Sequence, residues 1–234
     1  MSAPTVISKA FLTSAGILLF ALVEIVRGQT LPTSAENSIL DNTTIFSDGI
    51  YLSREAFLAN KPEIQWGGDP AVFLNPQTLI LKADYWILGS GDTLFADQAY
   101  ALGVDGKPYL RIPEIESLLE AFVPLKVRGR ICHYSYPVVR EQSVEVAAYN
   151  PLTGKPFRRG TVINEEDETE HWIFHFLTGE RKLLTRESLM EWVSDDPALV
   201  KAIKELEDDQ NSIEKLIKSL KIYDDRHPVM LPPQ

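Results

Sequence analysis

The spacing of apolar residues divides the chain into a strand-rich part, residues 48–184, and a helical part, residues 185–222. Apolar and polar positions alternate through much of the first part, which is typical of half-buried strands. Asp48-Gly49 and Asp105-Gly106 are turn signals, and the second predicts a hairpin. We therefore expect an antiparallel, hairpin-rich sheet.

Two short helices are predicted within the strand-rich part. Ser53 is a favourable N-cap for a helical turn over residues 54–60, directly after a strand at residues 50–52. Pro113 fits the first position of a second helix. The apolar residues after it recur at helical spacing, and they are Ile115, Leu118, Leu119 and Phe122. This spacing predicts a helix over residues 113–122.

From Val123 the apolar period changes to two, and a long strand is predicted as far as Tyr136. Further strands are expected at residues 144–149, 157–163 and 171–177. The acidic segment from Asn164 to Glu170 would then be a hairpin tip between the last two strands. Its carboxylates could bind calcium, but the segment lacks the pattern of an EF-hand loop, which favours a solvated tip.

Helix signals dominate the last third of the chain. Thr185 is a predicted N-cap, and Asp196-Pro197 combines an acidic cap with proline at the first helical position. An apolar stripe follows at Leu199, Ile203, Leu206, Ile213, Ile217 and Leu220. The stripe could form a coiled coil, but its short length favours packing against the sheet.

Together these elements predict an α+β fold in which an antiparallel, strongly curved β-sheet packs against C-terminal helices. Residues 48–234 are expected to form a single domain that ends in an extended tail, residues 223–234. Val229, Met230 and Leu231 of this tail are expected to pack back on the body. Residues 29–47 are polar and aperiodic, and a flexible lead-in is predicted there.

The first 28 residues have the order of a secretory signal peptide. Lys9 precedes an apolar run from Ala10 to Val23, and Val26 and Gly28 fit a peptidase that cleaves before Gln29. The run is shorter than the roughly 20 residues of a transmembrane helix, so an uncleaved anchor or a buried core helix is the weaker interpretation. We expect a periplasmic or secreted protein without stable membrane insertion after cleavage.

Charge and cysteine content narrow the classes of partner. The chain has a formal net charge of −10. Binding to nucleic acid relies on Lys and Arg that neutralise phosphates, so this balance argues against nucleic acid as a partner. Cys132 is the only cysteine, which excludes an intramolecular disulfide. Its place in an alternating apolar run favours a small buried side chain over a reactive thiol.

No metal site and no cofactor are predicted. His171 and His175 could chelate zinc on a helix, but their segment is strand-like and separates them by roughly 13 Å. The glycines at 89 and 91 lack the other residues of a phosphate-binding loop, which favours a plain turn. No recognised nucleophile motif is present in the sequence.

The best candidate surface follows the predicted strand over residues 123–136. Alternation would set Lys126, Arg128 and Arg130 on one face, about 7 Å apart, and Tyr134 and Tyr136 would continue that face. Such a surface could bind an anionic ligand or a glycan through cation–π and stacking contacts. The three cations could instead pair with acidic side chains of a neighbouring strand.

These observations favour an exported, non-enzymatic binding or interaction protein, whose partner is a small molecule, a glycan or another protein. The alternative is an exported hydrolase, acting on glycans, that uses two carboxylates which the sequence does not identify. A structural component of an envelope assembly is a third hypothesis.

Several short motifs resemble a family of exported bacterial proteins of the Bacteroidota type. They are Asp48 to Ser53 with Phe57, Asn60 and Pro62, then Val127 to Arg130, Thr178 to Glu180, and Tyr223 to Pro228 followed by Leu231-Pro232. That family has no established activity. The resemblance therefore implies export and a shared fold, without catalytic residues.

Overall fold

The computed structural model describes residues 38–66, 71–115, 117–149, 151–154, 156–207, 209 and 211–232, which belong to one compact unit. The predicted signal peptide, residues 1–28, and residues 29–37 of the predicted lead-in lie outside the described residues. Within the described part of the chain, no helix is both long and apolar enough to cross a membrane.

The elements follow one another along the chain as β1 (Ser38–Ile39), β2 (Gly49–Tyr51), α1 (Arg54–Leu58), β3 (Phe73–Leu74), β4 (Leu81–Ala83), β5 (Tyr85–Ile87), β6 (Thr93–Phe95), a 3-10 helix (Ala96–Gln98), β7 (Ala101–Val104), β8 (Lys107–Arg111), β9 (Glu120–Pro124), β10 (Ile131–Tyr149), β11 (Pro156–His175), β12 (Arg181–Leu183), α2 (Arg186–Trp192), α3 (Pro197–Lys204), α4 (Ser212–Arg226) and β13 (Met230–Leu231).

Strands β2, β7, β8, β9, β4 and β3 form an antiparallel sheet in that order. The sheet is strongly curled into a half-barrel, which confirms the predicted α+β fold with a curved antiparallel sheet. Asp105 and Gly106 form the predicted hairpin turn between β7 and β8. Both have positive φ, 52° and 70°, as a two-residue turn of this kind requires.

The predicted helix over residues 113–122 is wrong. Its last residues belong to β9, in which Phe122 lies opposite Leu81 on one side and Arg111 on the other. Phe122 is fully buried, whereas Leu118, which the helical spacing also selected, is fully exposed. Pairing with two neighbouring strands buries Phe122 in the half-barrel, so tertiary context overrides the local pattern.

Strands β10 and β11 form a hairpin much longer than the sequence predicts. The register runs from Ile131 opposite His175 to Ala148 opposite Arg158. The segment from Asn164 to Glu170, predicted as a hairpin tip, lies inside β11, and the chain turns between β10 and β11 instead. Buried pairs at the base fix the register, and the ladder continues it outward.

The predicted caps of the C-terminal helices are confirmed. The side chain of Thr185 accepts a hydrogen bond from Ser188 N, and that of Asp196 accepts one from Leu199 N. The predicted stripe is interrupted between α3 and α4. Three of its residues, Leu199, Ile203 and Leu220, are buried in one core with Ile131 and Ile173 at the base of the long hairpin, and Leu206 and Ile217 pack against this core. Leu216, which the stripe did not include, is buried there as well. Packing against strands, the favoured interpretation, is therefore what the structure shows.

Residues 38–47 belong to the folded body, although the sequence predicts a flexible lead-in there. Ser38 lies opposite Leu231 in the pair of β1 and β13, and Leu40 and Phe46 are buried in the core. The expected packing of the tail is confirmed for Val229 and Leu231, whereas Met230 points outward and is half exposed. Apolar contacts between two segments far apart in sequence thus anchor both ends of the body.

Candidate functional site

The three predicted cations lie in a loop and not on one strand. The chain leaves β9 at Pro124 and enters β10 at Ile131, so Lys126, Arg128 and Arg130 do not share a strand face. The loop is tight because Val127 and His133 exchange two backbone hydrogen bonds. The prediction of a continuous strand over residues 123–136 is therefore wrong at its centre.

Two of these cations are held by uncharged partners. Lys126 Nζ donates a hydrogen bond to the Ser135 hydroxyl at 2.6 Å. The Arg128 guanidinium donates to the carbonyl oxygen of Thr44. Burial lowers the pKa of Lys126 and of Arg128, since desolvation disfavours the charged forms. These contacts tie the loop to β10 and to the N-terminal segment of the body.

Tyr134 and Tyr136 are buried, with exposed fractions of 1% and 3%. The ring of Tyr134 stacks on Tyr136 and on Trp172, with centroids 6.3 and 6.4 Å apart. All three rings contact the half-barrel core, whereas Lys126 is at the surface. The predicted face that would combine cations with tyrosines does not form. Ligand binding by any of the five residues stays a prediction.

The carboxyl group of Asp224, on α4, occupies the centre of the loop. Its Oδ1 accepts a hydrogen bond from Ile131 N at 2.9 Å, and a Cβ atom at Gly129 would overlap the carboxyl. Oδ2 is buried without a hydrogen-bond partner among the described residues. Burial raises the pKa of Asp224 to about 7. Arg130, in the same loop, lies 3.9 Å from Asp195.

Other residues of the motif from Tyr223 to Pro228 also hold elements together. The Tyr223 hydroxyl donates to the two carboxylate oxygens of Asp195, at 2.9 and 3.1 Å, and His227 stacks on the Tyr223 ring. Arg226 binds the carboxylate of Asp196, the N-cap of α3, at 2.6 Å. The residues that carry the family resemblance therefore join α4 to the start of α3 and to the loop.

A cleft of about 360 Å³ lies beside this loop, between the N-terminal segment and α4. Its polar lining has charges of both signs and comprises Asp41, Asn42, Arg128, Lys221, Asp224 and Asp225. Several of these groups already serve the fold, since Arg128 N donates to Asn42 Oδ1 at 2.9 Å and Asp224 binds the loop backbone. A general acid must reach its substrate, and the buried Oδ2 of Asp224 does not.

His133 and His171 form a pair that the sequence did not predict. His133 Nε2 lies 3.1 Å from His171 Nδ1, and the two rings are stacked. His133 Nδ1 is buried without a partner among the described residues. The tautomer with a proton on Nε2 leaves only a lone pair unsatisfied, so we assign His133 as the donor of this hydrogen bond.

Burial disfavours the charged form of both histidines and lowers the pKa of His171 as well as that of His133. Burial lowers the pKa of His133 to about 3, and the neighbouring His171, Lys126 and Lys221 lower it further. His171 and His175 both lie on β11, as their strand-like segment predicts. Among the described residues, no group of three or more His, Cys, Asp or Glu side chains could bind a metal ion.

Cys132 is fully buried in the core next to the tyrosines, which confirms the structural interpretation of this residue. Burial raises the pKa of its thiol to about 12, so the thiolate that a nucleophile needs is disfavoured.

The most exposed feature of the fold is the outer part of the long hairpin, which we name the β-arm and define as residues 137–149 and 156–169. Thirteen residues from Pro137 to Tyr149 extend about 40 Å along the strand. Most side chains on both faces are exposed, among them Val139 (62%), Ile163 (61%) and Tyr149 (61%). Isolated two-stranded ribbons are marginally stable in water.

The two faces of the β-arm differ in charge. On one face Arg140 forms ion pairs with Glu168 and Glu170. The other face has Glu141 directly opposite Glu165, and like charges in that position are destabilising. Between Pro137 and Glu145 and between Thr161 and Thr169, this second face contains no cation; Arg159, opposite Ala147, lies beyond it toward the turn. We name it the acidic face, and it comprises Val139, Glu141, Ser143, Glu145, Thr161, Ile163, Glu165 and Asp167.

The sequence contained a signal for the β-arm. Between Tyr136 and His171, the turn residues Asn150-Pro151 and Thr153-Gly154 stand at one place, and the acidic segment 164–170 has neither glycine nor proline. A single hairpin turn between Tyr149 and Pro156 accounts for this distribution. By contrast, the hydrogen bond from Ile131 N to Asp224 and the contact of His133 with His171 join residues far apart in the chain, and no local pattern indicates either of them.

Comparison with protein-family models, with curated proteins and with solved structures finds no match for this chain.

Proposed function

We propose that this chain is an exported, non-enzymatic interaction protein that binds a protein partner through the β-arm. The observation that carries the proposal is the exposure of a long two-stranded ribbon on both faces. Such a ribbon costs ordering entropy and buries little apolar surface of its own. Contact with a partner would supply the missing burial for Val139 and Ile163.

Charge selects the chemistry of the partner. The acidic face combines four carboxylates with two exposed aliphatic side chains, and Glu141 and Glu165 repel each other across the ladder. A partner surface with Lys or Arg beside apolar residues would relieve this repulsion and cover the aliphatic groups. We therefore propose a basic protein surface as the occupant of the acidic face.

The cleft beside the Asp224 loop supports a hydrolase less well than the β-arm supports a protein-binding role. Its best placed carboxyl, that of Asp224, faces the backbone of residues 129–131, where it holds the loop.

Export rests on the signal peptide predicted for residues 1–28. N-terminal sequencing of the exported protein is expected to begin at Gln29, and a first residue of Met1 would contradict cleavage.

Site-specific photo-crosslinking in cells that produce the protein tests the role of the β-arm. A photo-reactive amino acid at Val139 is expected to capture one defined partner, and the same group at Ile87 on the body, which is 63% exposed, is expected to capture none. Equal capture from both positions, or none from Val139, would overturn the proposal.

A second comparison tests the charge of that partner. The double variant Glu141→Lys/Glu165→Lys is expected to lose the adduct at Val139. Glu187→Lys/Glu214→Lys makes the same charge change on exposed helical positions and is expected to retain it. Loss of the adduct in both variants would mean that only the net charge of the chain matters, which would contradict a specific acidic face.

A further inference from the structure

The outer edge of β11 is an unpaired strand edge. β12 covers β11 from Trp172 to Phe174, and flanking backbone hydrogen bonds from Leu184 and to Glu180 extend this cover from His171 to His175. Between Arg159 and Asp167, no described residue pairs with the outer side of β11. Free N–H and C=O groups along such an edge are a template for pairing with another chain. Proline or a bulge often blocks an edge of this kind, but between Arg159 and Asp167 the register is continuous and contains neither.

The residues along this edge are self-complementary in charge. Two basic positions, Arg158 and Arg159, precede Ile163, and four acidic positions, from Glu165 to Glu168, follow it. Two copies of β11 that run antiparallel around a twofold axis at Ile163 place residue 159 opposite residue 167. The same register places residue 158 opposite residue 168.

A twofold axis perpendicular to the sheet keeps each face of the strand on its own side, so paired residues must share a face. Arg159 and Asp167 satisfy this condition, because both lie on the odd-numbered face of β11 that also contains Ile163. Each dimer would therefore contain the Arg159–Asp167 pair twice, with Ile163 of one copy against Ile163 of the other.

We propose that the chain forms a twofold dimer through the outer edge of β11, so that two β-arms join into one continuous four-stranded sheet. Pairing over residues 159–167 does not overlap the position of β12, which covers residues 172–174. The proposal rests on the proposed function only in treating the β-arm as an interaction surface. Both faces of the sheet remain available to a partner.

Cysteine crosslinking tests the register. Antiparallel strands set directly opposite Cα atoms 4.5–5.5 Å apart, within the range of a disulfide. Ile163→Cys is therefore expected to give a disulfide-linked dimer on mild oxidation, and the buried native Cys132 is expected to stay silent. Thr161→Cys and Glu165→Cys are the matched controls. Each alone stands about 13 Å from its own copy and is expected to stay monomeric, while the double variant is expected to crosslink.

Sedimentation equilibrium of the purified protein tests the charge pairs. Arg159→Asp and Asp167→Arg are each expected to weaken the dimer about tenfold, since each reversal places two pairs of like charges opposite each other. The double variant restores opposite charges and is expected to return the dissociation constant to within about threefold of the original.

A third comparison uses two exposed isoleucines. Ile163→Lys is expected to abolish the dimer, because it brings two ammonium groups together on the axis. Ile87→Lys, with almost the same exposure on the body, is expected to leave the dimer intact. A monomer at all concentrations, equal crosslinking from positions 161, 163 and 165, or no rescue by the charge exchange would overturn the dimer. A failure of the partner experiment alone would leave it standing.

Discussion

The Asp224 carboxyl and Gly129 are in direct contact, and this contact explains why the loop between β9 and β10 can close around an acidic side chain. Only a residue without Cβ leaves space for the carboxyl, which then accepts the hydrogen bond from Ile131 N. The loop in turn carries Lys126, Arg128 and Arg130 to three different parts of the body.

We expect Gly129→Ala to destabilise the fold by about 1–3 kcal/mol, because its methyl group would overlap the Asp224 carboxyl. Gly160→Ala is the matched control, since a Cβ at Gly160 meets no atom within 4 Å. Chemical unfolding followed by circular dichroism measures both variants. Equal stability of the two variants would contradict the packing described for Asp224.

The raised pKa of Asp224 predicts a specific dependence of stability on pH. A folded-state pKa of about 7 lies above the unfolded value, so this group's contribution is present below about pH 4 and is lost as the pH rises through 7. Asp224→Asn should remove this loss, and the variant should gain roughly 2–4 kcal/mol relative to the original chain between pH 4 and 8.

The control for this experiment is Asp225→Asn, which changes the exposed neighbour. Urea unfolding at a series of pH values gives the free energy of unfolding of the three proteins. A constant difference between Asp224→Asn and the original chain from pH 4 to 8 would show that Asp224 titrates normally.

The contribution of His133 to stability should depend on pH in the opposite direction to that of Asp224. Its folded-state pKa of about 3 lies below the unfolded value of about 6.5, so its contribution is present above pH 6.5 and is lost as the pH falls. Nitrogen-15 NMR of the imidazoles is expected to show His133 neutral, with its proton on Nε2, at pH 5. Replacement of its partner by His171→Ala should cost about 1–3 kcal/mol. Titration of His133 near pH 6.5 would contradict its burial.

The β-arm should be dispensable for the stability of the body. Val138 lies directly opposite Glu168, and the backbone groups of this pair face each other, so an Asn-Gly turn can replace residues 139–167 and close a two-residue hairpin. We expect the shortened chain to unfold within about 3 °C of the original, because the excised side chains belong to none of the three buried cores. Differential scanning calorimetry measures this, and a large loss of stability would show that the β-arm packs on the body.

Local signals predicted the parts of the fold that depend on local chemistry. The caps at Ser53, Thr185 and Asp196 and the turn at Asp105-Gly106 are where the sequence indicates them, because each requires a particular side chain or a positive φ at one position. The buried state of Cys132 also followed from its apolar neighbours.

The same local signals failed where two distant segments decide the outcome. Phe122 is in a strand because β4 and β8 offer partners on both sides, although its spacing suits a helix. The alternation of Lys126, Arg128 and Arg130 suggests one strand face, but the contact of Gly129 with Asp224 converts that segment into a loop. Both outcomes depend on segments that come together only after folding.

The helix caps, the tight turns, the α+β class and the complementary charges on either side of Ile163 can be predicted from the amino-acid sequence alone. Contacts between distant segments are needed to extend β10 and β11 into an exposed arm, to bring His133 to His171, and to let Asp224 close a loop 93 residues away. Caps and turns are satisfied within a few residues, whereas strand register and buried polar contacts depend on which distant segment supplies the partner.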